Sequence, residues 1–67
     1  MNISKALKNS YNLLSGISKT YKLDTEVLLA HVLKKKNRLD LFYNTKEELN
    51  KEEREKFIDF IFYLFLL

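Results

Sequence analysis

Residues 51–67 read KEEREKFIDFIFYLFLL, and this stretch decides what kind of object the chain is. Asn50 precedes it and Glu53 follows three residues later, the spacing of a capping box in which each side chain satisfies a free amide of the other's turn. A helix therefore starts here, with two charged turns. From Phe57 onward ten of the last eleven residues are apolar or aromatic, Asp59 being the exception. A helix that is apolar all round has to be enclosed, and a small core covers about one side of it. Phe60, Phe62, Tyr63, Phe65 and Leu66 are accordingly expected to pack against something beyond the chain's own helices, and the chain is expected to be a fragment of a longer protein whose tail, Phe60 to Leu67, meets another domain.

The bilayer is a poor candidate for that something. Eleven helical residues span roughly 17 Å, whereas a membrane core is ~30 Å thick and takes about 20 apolar residues to cross. The opening MNISKALKNSYNLLSG has no continuous apolar run of the secretory kind. The expected location is cytoplasmic, with no membrane partner.

Sixty-seven residues allow one domain with a thin core, so residues 1–67 read as a single helical domain. Without cysteine there is no disulfide and no thiolate metal site, and one histidine makes a His-based zinc site improbable. Glycine occurs once and proline never. A phosphate-cradling loop or dinucleotide fingerprint needs several glycines for close backbone approach. No catalytic centre, cofactor site or metal site can be assembled from what remains, and the piece by itself is expected not to be an enzyme.

Working back from the tail, the rest of the chain also reads as helix. Ile3, Leu7, Tyr11 and Leu14 keep the three-four spacing of one helical face, with Ala6 and Leu13 alongside. Asn2 suits the start and Gly16 is expected to end this helix in a left-handed conformation. Thr20 suits the N-cap of a second helix, in which VLLAHVL is apolar on more than one side and so should be surrounded. Asp24 and Glu26 near its start and Lys34, Lys35 and Lys36 at its end complement the helix dipole. A short third helix, Arg38 to Tyr43, and a polar connection from Asn44 to Leu49 complete the path. The expected fold is all-α, a small bundle of four helices at about 2–15, 21–34, 38–43 and 51–66.

Charge is uneven. Residues 1–38 carry eight basic and two acidic side chains, residues 39–67 four and seven. KKKNR (34–38) could meet phosphates, but its place at a helix end explains it without a ligand. Glu52 and Lys56 have the favourable spacing of four for a solvated pair. His31 reads as a packed histidine hydrogen-bonded to a neighbouring segment, because no nucleophile or metal partner is in sight. Tyr11, Tyr21, Tyr43 and Tyr63 read as residues at the core's edge.

TYKLDTEVLLAHVL (20–33), followed by RLDLFY (38–43) and a polar link into ELNKEEREKF (48–57), resembles the amino-terminal helical domain of the HemK/PrmC family of protein-(glutamine) methyltransferases, which act on peptide chain release factors. Those domains run from a Ser-Pro-Arg-Leu-Asp-Ala-Glu-type helix start into Leu-Leu-x-His-Val-Leu. Here Thr20 stands for the Ser; Leu23, Asp24, Glu26, Leu28, Leu29, His31, Val32 and Leu33 match. Arg38, Leu39, Asp40 and Leu41 look like the family's next short helix, and Leu49, Asn50, Glu52 and Glu53 like the start of the one after. Tyr21 departs from the usual proline, and three lysines replace a Gly-containing turn. The family's paired arginines and Gly-x-Pro element, its Gly-rich S-adenosylmethionine loop and its Asn-Pro-Pro-Tyr motif do not occur in these residues.

The resemblance implies a role and its limits. The parent enzyme would methylate the glutamine of a release factor's Gly-Gly-Gln loop with S-adenosylmethionine, and this piece would help dock that protein substrate while holding neither donor nor acceptor. Its partners would be the release factor and the parent's own catalytic domain; Lys35 and Arg38 are candidates for touching the release factor. Two other classes compete. A helix-turn-helix nucleic-acid binder is the weaker, because its recognition helix should expose polar side chains to base edges. A self-associating module would bury its tails against each other.

Overall fold

The computed structural model describes residues 1–66 and contains the four expected helices: α1 (Ile3–Leu14), α2 (Tyr21–Val32), a 3-10 helix (Arg38–Tyr43) and α3 (Lys51–Leu66). The architecture is a small all-α bundle. Leu67 lies outside the described residues, and with it the last position of the predicted tail.

α1 begins where its amides find partners. Asn2 is extended, and its Oδ1 accepts from the Lys5 amide at 2.9 Å. The two amides before that are met by the distant connection: Ile3 N donates to the Glu47 carbonyl (3.0 Å) and Ser4 N to that of Thr45 (2.9 Å). Leu49 N in turn donates to the Met1 carbonyl at 2.9 Å, and Asn2 and Glu48 form an isolated antiparallel bridge. All the opening donors of α1 are thereby satisfied. The segment after Tyr43 is thus a clasp across the start of the chain, built through Asn44–Glu47 turn hydrogen bonds and anchored by buried Leu49.

Two helix ends differ from expectation. Gly16 is not left-handed: Ser15 stays right-handed, and the amides of Ile17 and Ser18 both reach the Leu14 carbonyl in a tight turn that needs no glycine. The left-handed residue is Lys34, at φ 59°. There the Lys34 amide donates to His31 O (3.1 Å) and the Lys35 amide to Ala30 O (2.9 Å), the pair of backward hydrogen bonds that closes a Schellman cap. Thr20 does precede α2, yet its side chain caps no amide. It donates instead to Asp24 Oδ2 at 2.9 Å, which Ser18 also reaches at 3.2 Å. The capping box of α3 forms as read, with Asn50 N to Glu53 Oε1 at 2.9 Å and Glu53 N to Asn50 Oδ1 at 2.8 Å.

α2 is the central element, touching α1, the 3-10 helix and α3. The core joins Ile3, Leu7 and Leu14 of α1 with Leu29 and Ala30 of α2, Leu41 of the 3-10 helix, Leu49, and Phe57 and Ile61 of α3. Enclosure of α2 is nevertheless incomplete. Leu23, Val27 and His31, one turn apart in sequence, form an exposed line, because three neighbours in so short a chain cover the other sides only.

Candidate functional site

The second half of α3 turns Phe57 and Ile61 inward, with Leu64 half-buried beside them. The helical period carries the remaining side chains away from the core. All five residues singled out from the sequence are exposed: Phe60 at 39%, Phe62 at 53%, Tyr63 at 66%, Phe65 at 41% and Leu66 at 78%. Applied to side chains of ~150–250 Å² each, these fractions leave roughly 600 Å² of mostly apolar area in water, at the upper end of what an ordinary monomer shows in its largest patch.

Two shallow grooves flank α3. One lies against α1, lined by Met1, Asn9, Leu13, Ile58, Ile61 and Phe62 without a charged side chain, and has a volume of about 240 Å³. The other lies against α2, between Leu23, Val27, Leu28 and Leu64. His31 extends this second face, with its ring 6.5 Å from that of Phe60 in an edge-on contact. It is exposed and its side chain makes no hydrogen bond among the described residues, so it is not the packed histidine expected from its helix. The reason is the uncovered line on α2: the side chain sits at the rim of a groove instead of under a neighbouring helix.

A second constellation was not foreseen. Glu26 is buried, and its carboxylate accepts from the Tyr11 hydroxyl and, at 2.8 Å, from Arg38 Nη1. One carboxylate thereby joins α1, α2 and the 3-10 helix. The Tyr11 ring meets Tyr21 edge-on at 6.0 Å, and Lys22 Nζ lies 5.7 Å from its centroid. Burial, and then the hydrogen bond and negative charge of Glu26, hold the Tyr11 hydroxyl protonated beyond the usual tyrosine range. Read as a charge near the positive end of α2, Glu26 is in fact on the face that also carries Leu29, Ala30 and Leu33. An acid at three, four and seven residues from buried apolar positions was the available signal.

This constellation and its neighbour change the reading of the basic run. Arg38 is committed to Glu26, and Lys35 Nζ pairs with Glu47 Oε1 at 3.0 Å. Both residues expected to reach a partner are therefore occupied internally. Tyr11 and Tyr21 do lie at the core's edge, but Tyr43 (86% exposed) and Tyr63 do not. The Glu52–Lys56 pair forms at 3.6 Å on a solvated turn. Among the described residues no three His, Cys, Asp or Glu side chains gather where a metal ion could be held, and no helix is long and apolar enough to cross a membrane.

The most prominent feature of the geometry is thus the exposed apolar surface of α3. Comparison with protein families bears on what docks. The family described as the PrmC N-terminal domain matches residues 5–62, which takes in nearly all of α1, both central helices, the clasp and α3 as far as Phe62. Searches of curated proteins and of solved structures returned no match.

Proposed function

The chain belongs to the family of PrmC N-terminal domains, and from that premise we propose that it is the accessory protein-substrate recognition domain of a release-factor glutamine methyltransferase. The observation that carries this reading is the family match over residues 5–62, which spans most of the helical bundle. The exposed half of α3 supports it physically: an apolar strip of that size suits a neighbouring folded domain. In this reading Phe60, Phe62, Tyr63, Phe65 and Leu66 pack on the catalytic domain of the parent enzyme, and the bundle holds the release factor so that its Gly-Gly-Gln glutamine reaches the methyl donor there. Domain and substrate are thereby kept at a fixed distance, which lowers the entropy lost on reaching the transition state.

S-adenosylmethionine would supply the methyl group in the catalytic domain. The residues of this chain do not fit it. Its only glycine, Gly16, is exposed in a right-handed turn where an added Cβ would meet nothing within 4 Å, so the backbone there cradles no ligand. The bundle's own work is positioning, and Glu26 serves it by locking three helices to one another.

Binding of a purified release factor to the chain tests the proposal. A dissociation constant no tighter than about 1 μM is expected, because the active-site contacts are missing. Calorimetry should show no uptake of S-adenosylmethionine. Clear donor binding, or no interaction with the release factor, would overturn the assignment. The exposed area on α3 also favours a second reading, self-association through the tails. In that case sedimentation would show a dimer that is lost when the chain is truncated after Asp59.

A further inference from the structure

The 3-10 helix is an odd element to keep in water. Of its six residues only Leu41 is buried, while Leu39 (61%), Phe42 (48%) and Tyr43 stand exposed. It is nonetheless held in place: Asn37 Oδ1 caps it by accepting from the Leu39 amide at 3.0 Å, Arg38 ties it to Glu26, and Leu41 pins it to the core. A fixed projection with exposed aromatic side chains loses little freedom on docking, as a contact residue should.

Beside it runs a groove floored by Leu7, Tyr11 and Phe42 and edged by Ser4, Lys8 and Thr45. Among the described residues no carboxylate lines it. Lys8 stands in its wall, Lys22 stands over the Tyr11 ring, and neither lysine has an ion-pair partner among the described residues. Glu26, which accepts from the Tyr11 hydroxyl at the groove floor, is already paired with Arg38. The groove is thus apolar inside and uncompensated positive at its edge. At 100° per residue, Ser4, Lys8 and Tyr11 face away from the side of α1 on which Asn9 and Leu13 border α3. The two grooves of α1 can be filled at once.

Resting on the substrate-recognition reading, we infer that the groove between α1 and the 3-10 helix receives an acidic segment of the protein substrate that inserts an apolar side chain, while the α3 face meets the enzyme's other domain. A cationic rim around an apolar floor complements a negatively charged segment bearing a hydrophobic anchor. The bundle then acts as a two-sided adaptor, with enzyme on one side and substrate on the other.

Calorimetric titration of the full chain with a purified release factor tests this, using Lys8→Glu, Phe42→Ala and, as a charge reversal elsewhere on the surface, Arg54→Glu. Thermal melts confirm that each variant is folded. Lys8→Glu should weaken binding about 10-fold at low salt, with the difference shrinking as salt rises. Phe42→Ala should weaken it about 30-fold if it is an anchor, while Arg54→Glu stays within about 2-fold. Folded Lys8→Glu and Phe42→Ala variants that bind like the parent would overturn the groove assignment and leave the recognition role standing. An equal loss with Arg54→Glu would overturn it in favour of net charge alone. Absence of any release-factor binding by the unaltered chain would remove both. Binding of an oligouridine probe that Lys8→Glu abolishes, with release-factor affinity unchanged, would make the groove a nucleic-acid site instead.

Discussion

Lys34 offers the sharpest test of how this backbone is held. It is the one non-glycine residue with positive φ among those described, and it sits at the turn that ends α2. A left-handed conformation costs a residue with a Cβ about 1–2 kcal/mol, which glycine escapes. Glycine in turn gives the unfolded chain about 0.5–1 kcal/mol of extra entropy, so the net gain on substitution is roughly 0.5–1 kcal/mol. Losing the ammonium near the helix end opposes this by ~0.3–1 kcal/mol at most. Lys34→Ala loses the same charge and keeps the Cβ, so the comparison of glycine with alanine isolates the backbone. In a chain of this size the glycine variant should melt roughly 2–8 °C above the alanine variant. Urea titrations should show a higher midpoint with an unchanged slope. An alanine variant as stable as the glycine one would mean that the turn is not strained and that the Schellman geometry is wrong.

Gly16→Ala should stabilise the fold by about 0.4–1 kcal/mol, since the position is right-handed and open; a lower melting temperature would contradict the turn described. Glu26→Ala removes the shared acceptor of Tyr11 and Arg38 and should cost on the order of 2 kcal/mol, discounted because Arg38 still reaches water; chemical denaturation measures it. Thr25→Val replaces a fully buried hydroxyl that has no hydrogen-bond partner among the described residues by a methyl group and should raise stability by about 1 kcal/mol in the same assay. The raised pKa of Tyr11 gives a stabilising contribution that is complete below the free tyrosine value of ~10 and is lost as pH rises above it. Melting temperature should therefore fall more steeply above that pH in the parent than in Tyr11→Phe, and parallel curves would show that the hydroxyl is not held by Glu26.

Helix positions were legible because they are written in local chemistry. Asn2 and the Asn50–Glu53 pair announce starts by supplying acceptors for free amides, and the spacing of Ile3, Leu7 and Leu14 marks a face. The ends were less legible. Gly16 looked like the left-handed stop because it is the only glycine, but where α1 stops is set by the Leu14 turn, and the left-handed residue follows from the route from α2 into the 3-10 helix. Exposure of the tail could be anticipated from its lack of a polar face and the small size of the core. The Tyr11–Glu26–Arg38 junction could not be seen in the same way, since it unites residues from three helices whose mutual placement no local pattern specifies. For the same reason Lys35 and Arg38 looked available until their acidic partners were brought to them.

The clasp across the start of the chain has a consequence for synthesis. α1 is made first, yet the amides of Ile3 and Ser4 wait for carbonyls at Glu47 and Thr45, and the Met1 carbonyl waits for Leu49. On the ribosome, the first two amides of α1 thus stay open until the segment from Thr45 to Leu49 has emerged, while the Asn2 cap on the Lys5 amide is local and can form at once. Closure of so distant a contact is slow compared with winding a helix, so the clasp is expected to form after the turns of α1 that it completes.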